Sequence, residues 1–291
     1  MSWKKWIPLL AAFGAVLCIA VAAGTSGSGE PAPAQQLQEQ LPQEPAQEVM
    51  QPAAEPEPVS EPEPEVPAYD FTQPAPESPA VENTYFADAA FVGDSRTDGF
   101  MIYSGIGTGK NLTSNGLSIF KLEEKKALKI GGEKYTLLEA LEMDTYGKVY
   151  LCLGINELGI YDDEGFYQSY LSAIDAIRAS QPQAVIYIQG LIPLNEEEVA
   201  ASGGKDYLKN DHLRVYNDLM RRAAQEKQVV FLDLYAAFAD ENGSLPAGAS
   251  RDGVHLKKEY CQQWLDYLKT HTVDPAALGL GETEQEECAP V

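Results

Sequence analysis

A hydroxyl nucleophile needs three supports. It needs a base to take its proton, a group to orient that base, and donors where negative charge develops on the substrate oxygen. Histidine is the natural base near neutral pH, and this 291-residue chain has three: His212, His255 and His271. His212 stands beside Asp211 in a charged helical stretch, and His271 follows the last helical pattern; both read as surface histidines. His255 lies in Arg251-Asp252-Gly253-Val254-His255-Leu256, ahead of a helical pattern. Alone, Asp-x-x-His is as compatible with a plain turn. On the serine side, the apolar run Ala89–Val92 ends in Gly93-Asp94-Ser95, which reads as a strand entering a turn.

The elements that must position these residues alternate between strand and helix. Lys148–Leu153, Ala184–Gln189 and Val229–Asp233 read as buried strands, because apolar residues fill both faces. Arg96–Tyr103, Tyr135–Glu142, Phe166–Ala179, Leu208–Lys227 and Lys257–Thr270 read as helices; Leu117–Leu122 stays unassigned. The alternation predicts an α/β fold with a parallel sheet covered by helices on both faces. Sites in such folds form at the carboxyl ends of strands. Ser95 and Asn156 fall there. The connection 191–210 reads equally as a mobile lid or as a solvated surface loop. Cys152 reads as a small core hydrophobe.

Four blocks taken together are more specific than any one of them. Gly93-Asp94-Ser95, Asn115-Gly116, Gly154-Ile155-Asn156 and Asp252-Gly253-Val254-His255 occur in that order across residues 86–268. The sequence therefore resembles the SGNH hydrolases, also called GDSL esterases. The resemblance implies a three-layer α/β/α sandwich with a central parallel sheet, flavodoxin-like in its layout. It implies Ser95 as nucleophile, His255 as base and then acid, and Asp252 as the group that orients His255. It implies an oxyanion hole built from the backbone N–H groups of Ser95 and Gly116 and the side-chain amide of Asn156. Glycine at 116 is expected for close backbone approach; asparagine supplies a neutral donor. No metal and no organic cofactor are needed. Two positions depart from the family pattern. Arg96 replaces the leucine after the serine and is expected to pair with Asp98, with an anionic substrate as the other option. Glu157 replaces the aspartate that follows the block-three asparagine.

The rest of the chain bounds the setting. Gly105-Ile-Gly107-Thr-Gly109-Lys110 looks like a phosphate loop, but Ser104 and Asn111 stand where that motif needs glycine and Ser/Thr. A net charge of −23 speaks against nucleic-acid binding, which needs clustered Lys and Arg. Lys4 and Lys5 precede an uncharged stretch to Gly24, read either as a membrane anchor or as a cleaved signal peptide. Residues 25–82 hold most of the prolines, and no Lys or Arg occurs between Lys5 and Arg96. That composition reads as a disordered, extended linker. The expected organisation is thus 1–24 anchor or signal, 25–82 linker, 83–273 hydrolase domain and 274–291 acidic disordered tail. Its activity is expected to be extracytoplasmic hydrolysis of a small acyl ester, acetyl above all, on a carbohydrate or cell-envelope polymer. Acyl transfer by the same residues and an inactive tethered glycan-binding module are the alternatives. Oligomeric state and protein partners are not written in the sequence.

Overall fold

The computed structural model describes residues 68–281. Strand β1 (Ala89–Gly93) leads into helix α1 (Ser95–Tyr103) and strand β2 (Lys110–Thr113). A hairpin of β3 (Leu128–Ile130) and β4 (Glu133–Tyr135) precedes the short α2 (Leu137–Leu141). Then follow β5 (Lys148–Cys152), α3 (Asp163–Ser180), β6 (Val185–Gln189), α4 (Glu196–Ala201), α5 (Asn210–Glu226), β7 (Val230–Leu232), α6 (Leu234–Phe238) and α7 (Lys258–Lys269).

Five strands form one parallel sheet in the order β2-β1-β5-β6-β7. Counted within the sheet this is 2-1-3-4-5, the flavodoxin-like order of doubly wound folds. The chain steps one way from β1 to β2 and the other way from β5 onward. Right-handed crossovers therefore put α1 on one face and α3 and α5 on the other. In keeping with that, α1 packs with α7 and α3 packs with α5. The switch point lies between β1 and β5, where doubly wound folds open a crevice.

Register explains the core. Phe91, Tyr150 and Tyr187 are matched neighbours on β1, β5 and β6. Their rings stack at centroid separations of 4.9 and 4.5 Å and are fully buried. The strands read as buried on both faces are so: β5, β6 and β7 have no exposed residue. Strand β2, at an exposed edge of the sheet, is absent from the sequence reading. Only Leu112 of its four residues is buried, so no apolar pattern marks it.

The ordered domain extends beyond the expected 83–273 at both ends. Tyr69 N–H donates to Ala277 O, Ala75 N–H to Phe231 O and Val81 N–H to Lys269 O. Ala75 is buried, and a 3₁₀ turn at Pro275–Leu278 closes the C-terminal side. The proline-rich composition hid this, because these residues are held by backbone hydrogen bonds that composition does not register. The expected apolar helix 1–24, linker residues 25–67 and tail residues 282–291 lie outside the described residues. Among the described residues no helix is long and apolar enough to cross a membrane.

Candidate active site

Asp94 ends β1 and caps α1: its Oδ1 accepts the Arg96 N–H at 2.9 Å. Ser95 is consequently the first residue of α1, at the carboxyl end of β1. The first N–H groups of a helix lack intrahelical partners, so that of Ser95 can serve a developing anion.

The histidine reaches the serine from the far end of the domain. Ser95 Oγ and His255 Nε2 are 2.9 Å apart, and His255 Nδ1 lies 2.7 Å from Asp252 Oδ2. With Nδ1–H donating to the carboxylate, Nε2 is the acceptor for the serine hydroxyl. The other Asp252 oxygen accepts the N–H groups of Val254 (3.0 Å) and His255 (2.8 Å). Burial alone would push the Asp252 carboxyl up, but these hydrogen bonds outweigh it and hold the carboxyl below its ordinary range. Asp252 thus fixes backbone and ring of the same histidine. The sequence placed these two residues next to each other; their meeting with Ser95, 160 positions away, is a property of the fold.

The loop carrying Asp252 is braced by residues the sequence reading did not single out. Glu198 of α4 accepts the Gly248 N–H at 2.7 Å and the Ser250 hydroxyl. Ser250 Oγ in turn accepts the Gly253 N–H at 2.7 Å, and Asn195 N–H donates to Gly253 O. Gly253 has φ +82°, and a Cβ there would meet Asn195 O and Val199 N within 2.5 Å. Asn195-x-x-Glu198 has the form of a capping box, a signal for the helix but not for its reach to residue 250. These contacts correct the expectation for 191–210. The first half is neither a free lid nor a solvated loop: Leu194 and Val199 are buried, and Asn210 grips Leu194 N–H and O from α5, whereas residues 200–207 are exposed as a surface loop would be.

The oxyanion set is only partly assembled as expected. Asn156 shares a cleft of about 310 Å³ with Ser95 and His255. Its Nδ2 donates to Leu117 O at 2.9 Å and stands 3.5 Å from Asp94 Oδ2. A second cleft of about 330 Å³ opens on the other side of Ser95. There the turn 114–117, closed by Leu117 N–H to Ser114 O, puts Asn115 on the wall, not Gly116. Gly116 has φ +68°, and a Cβ would meet nothing within 4 Å. The turn's left-handed backbone favours glycine there, and the open space beside it leaves room for a ligand to approach the backbone.

Both departures from the family pattern are buried. Arg96 does not pair with Asp98. Its Nη1 donates to Ile192 O at 2.9 Å and its Nη2 has no partner, while Asp98 accepts from Asn111 and Thr113. The helix start turns the arginine inward and leaves Asp98 facing the edge strand β2. Glu157 is fully buried: Oε1 accepts the Ile119 N–H at 2.6 Å and Oε2 has no partner. Burial pushes its carboxyl up to about 7, and burial likewise pushes Asp94 up to about 6. His212 is half-buried, not a free surface side chain. It is stacked on Tyr161 and hydrogen-bonded to Leu158 O and Asp163. Its neighbours come from distant elements, which the local charge pattern cannot reveal. Burial pushes the Cys152 thiol up to about 12, in keeping with an inert core residue.

The sequence model of the GDSL-like lipase/acylhydrolase family matches residues 91–260. The chain belongs to that family, and with it to the carboxylic ester hydrolases. Its fold is similar to that of a Streptococcus pneumoniae protein named for platelet activating factor: TM-score 0.52 and 22% identity, covering 65% of this chain and 83% of that one. It is also similar to a protein from Parabacteroides merdae named as a GDSL-like lipase: TM-score 0.50 and 14% identity, covering 70% of this chain and 100% of that one. At these identities the likeness concerns the fold alone. No curated protein matches the sequence.

Proposed function

We propose that this chain is an extracytoplasmic serine esterase that removes a small acyl group, acetyl above all, from a carbohydrate or envelope polymer. The observation that carries the mechanism is the run of contacts from Ser95 Oγ to His255 Nε2 and from His255 Nδ1 to Asp252. In this reading His255 takes the Ser95 proton as Oγ attacks the ester carbonyl. The imidazolium, stabilised by Asp252, then protonates the departing alkoxide, leaving an acyl-serine and a free alcohol. A water, deprotonated by His255, attacks the acyl-serine; the carboxylic acid leaves and the Ser95 hydroxyl regains its proton. Asn156 and the Ser95 N–H stabilise the oxyanion in both halves. The substrate and the location rest on the exported character of the N-terminal sequence. Export places the domain on an N-terminal anchor, or free of the cell if the segment is cleaved, with residues 25–67 as spacer.

The test is hydrolysis of p-nitrophenyl acetate and of acetylated glycans, with covalent labelling by a fluorophosphonate. Ser95→Ala abolishes both hydrolysis and labelling. Activity that survives in Ser95→Ala refutes the nucleophile, and recovery of the chain in the cytosol refutes the location.

A further inference from the structure

The 330 Å³ cleft beside Ser95 carries a charge that the ester chemistry does not use. Arg251 lies immediately before Asp252, exposed at its mouth, and makes no ion pair among the described residues. Its guanidinium rests over the Tyr103 ring, 5.2 Å from the centroid. Arg96 lines the same cleft at its floor. It is 5% exposed, with one N–H on Ile192 O and its Nη2 without any acceptor. The buried Cys261 lines the same cleft. Two carboxylates share the cleft: Asp252 is taken by His255, and Asp98 by Asn111 and Thr113. In a chain of net charge −23, Arg251 is an exposed cation beside the nucleophile, and both carboxylates that share its cleft already have hydrogen-bond partners.

An exposed guanidinium without a carboxylate partner can take a planar anion in its fork of N–H donors, and a second, buried guanidinium below it adds positive potential. We propose that this cleft is an anion subsite, and that the ester cleaved at Ser95 sits on a substrate bearing a carboxylate next to the scissile bond. For an acetyl ester the carboxylate belongs to the alcohol part, so the substrate class is an acetylated acidic sugar or a polymer of such units. Arg251 swings from Tyr103 to the carboxylate, and Arg96 supplies positive potential from below. The proposal rests on Ser95 as the nucleophile.

Three aryl acetates of different charge test it, each kcat/KM divided by the ester's own hydroxide-catalysed rate to remove the substituent's effect on the leaving phenol: 3-acetoxybenzoate, its neutral methyl ester, and 3-acetoxyphenyl-trimethylammonium. The full chain is expected to favour the anion over the cation in kcat/KM, with the preference fading in 0.5 M salt, roughly the range where screening becomes complete. R251Q lowers the anion-to-neutral ratio about fivefold, the scale of one partly exposed ion pair. R251E inverts the order. K205Q, in the 310 Å³ cleft that also adjoins Ser95, preserves the ratio. Equal rates for the three esters, an unchanged ratio in R251Q, or a ratio lost in K205Q in its place overturns the subsite. Hydrolysis retained in Ser95→Ala overturns the nucleophile instead, so the two failures are distinguishable.

Discussion

Glu157→Gln is expected to stabilise the domain at alkaline pH, and its size follows from the site. The carboxyl is fully buried, with one oxygen on the Ile119 N–H and the other without a partner. Its pKa rises from an ordinary 4.5 to about 7, first because burial disfavours the charge and further because Asp94 is nearby. The folded state therefore holds this proton more tightly than the unfolded chain does. Stability is undiminished below the unfolded value and falls as the pH rises from about 4.5 through about 7. At about 1.36 kcal/mol per pH unit, the loss approaches roughly 3 kcal/mol by pH 8. Glutamine keeps the acceptor for Ile119 and cannot ionise. The variant should gain roughly 2–3 kcal/mol over the parent at pH 8 and differ little at pH 4.5. Urea unfolding of both proteins at pH 4.5, 6 and 8 measures this. Some slope remains in the variant, because Asp94 is also pushed up, to about 6. A variant no more stable than the parent at pH 8, with the same slope, refutes a buried ionisable Glu157.

Three further outcomes follow from the site. Asn156→Ala should lower kcat by about 10²–10³, the usual worth of one oxyanion donor, with KM little changed; a loss below threefold in steady-state assays removes Asn156 from the hole. Gly253→Ala forces a side chain into α4 at a left-handed φ and should destabilise by about 3 kcal/mol or more. Thermal unfolding checks it, and a change within 1 kcal/mol, roughly the scale of an ordinary surface substitution, contradicts the contact. Glu198→Ala strips Gly248 N–H and Ser250 O–H of their acceptor. It should cost about 1–3 kcal/mol and slow fluorophosphonate labelling of Ser95, because the His255 loop loosens. Labelling at the parent rate, with stability lost, makes the brace structural only.

Local signals carried much of the design. Strand and helix alternation read from apolar spacing gave the parallel α/β class, since a buried strand must be apolar on both faces whatever its partner. The four blocks named Ser95, Asn156, Asp252 and His255, because each lies within a few residues of a strand or helix end that the sequence itself marks. Edge strand β2 escaped, as an edge needs little burial, and so did the packed segments at 68–82 and 275–278, which backbone hydrogen bonds hold. What only tertiary structure decided is which neighbour each side chain meets. Arg96 turned inward away from Asp98, Glu157 lost water, and Glu198 reached Ser250 across 52 positions. Spacing along a chain determines local backbone geometry, whereas burial, charge and hydrogen-bond partners depend on segments that only folding brings together. The residues Ser95, Asp252 and His255 were therefore legible in the sequence, while the bracing of the His255 loop and the inward turn of Arg96 were not.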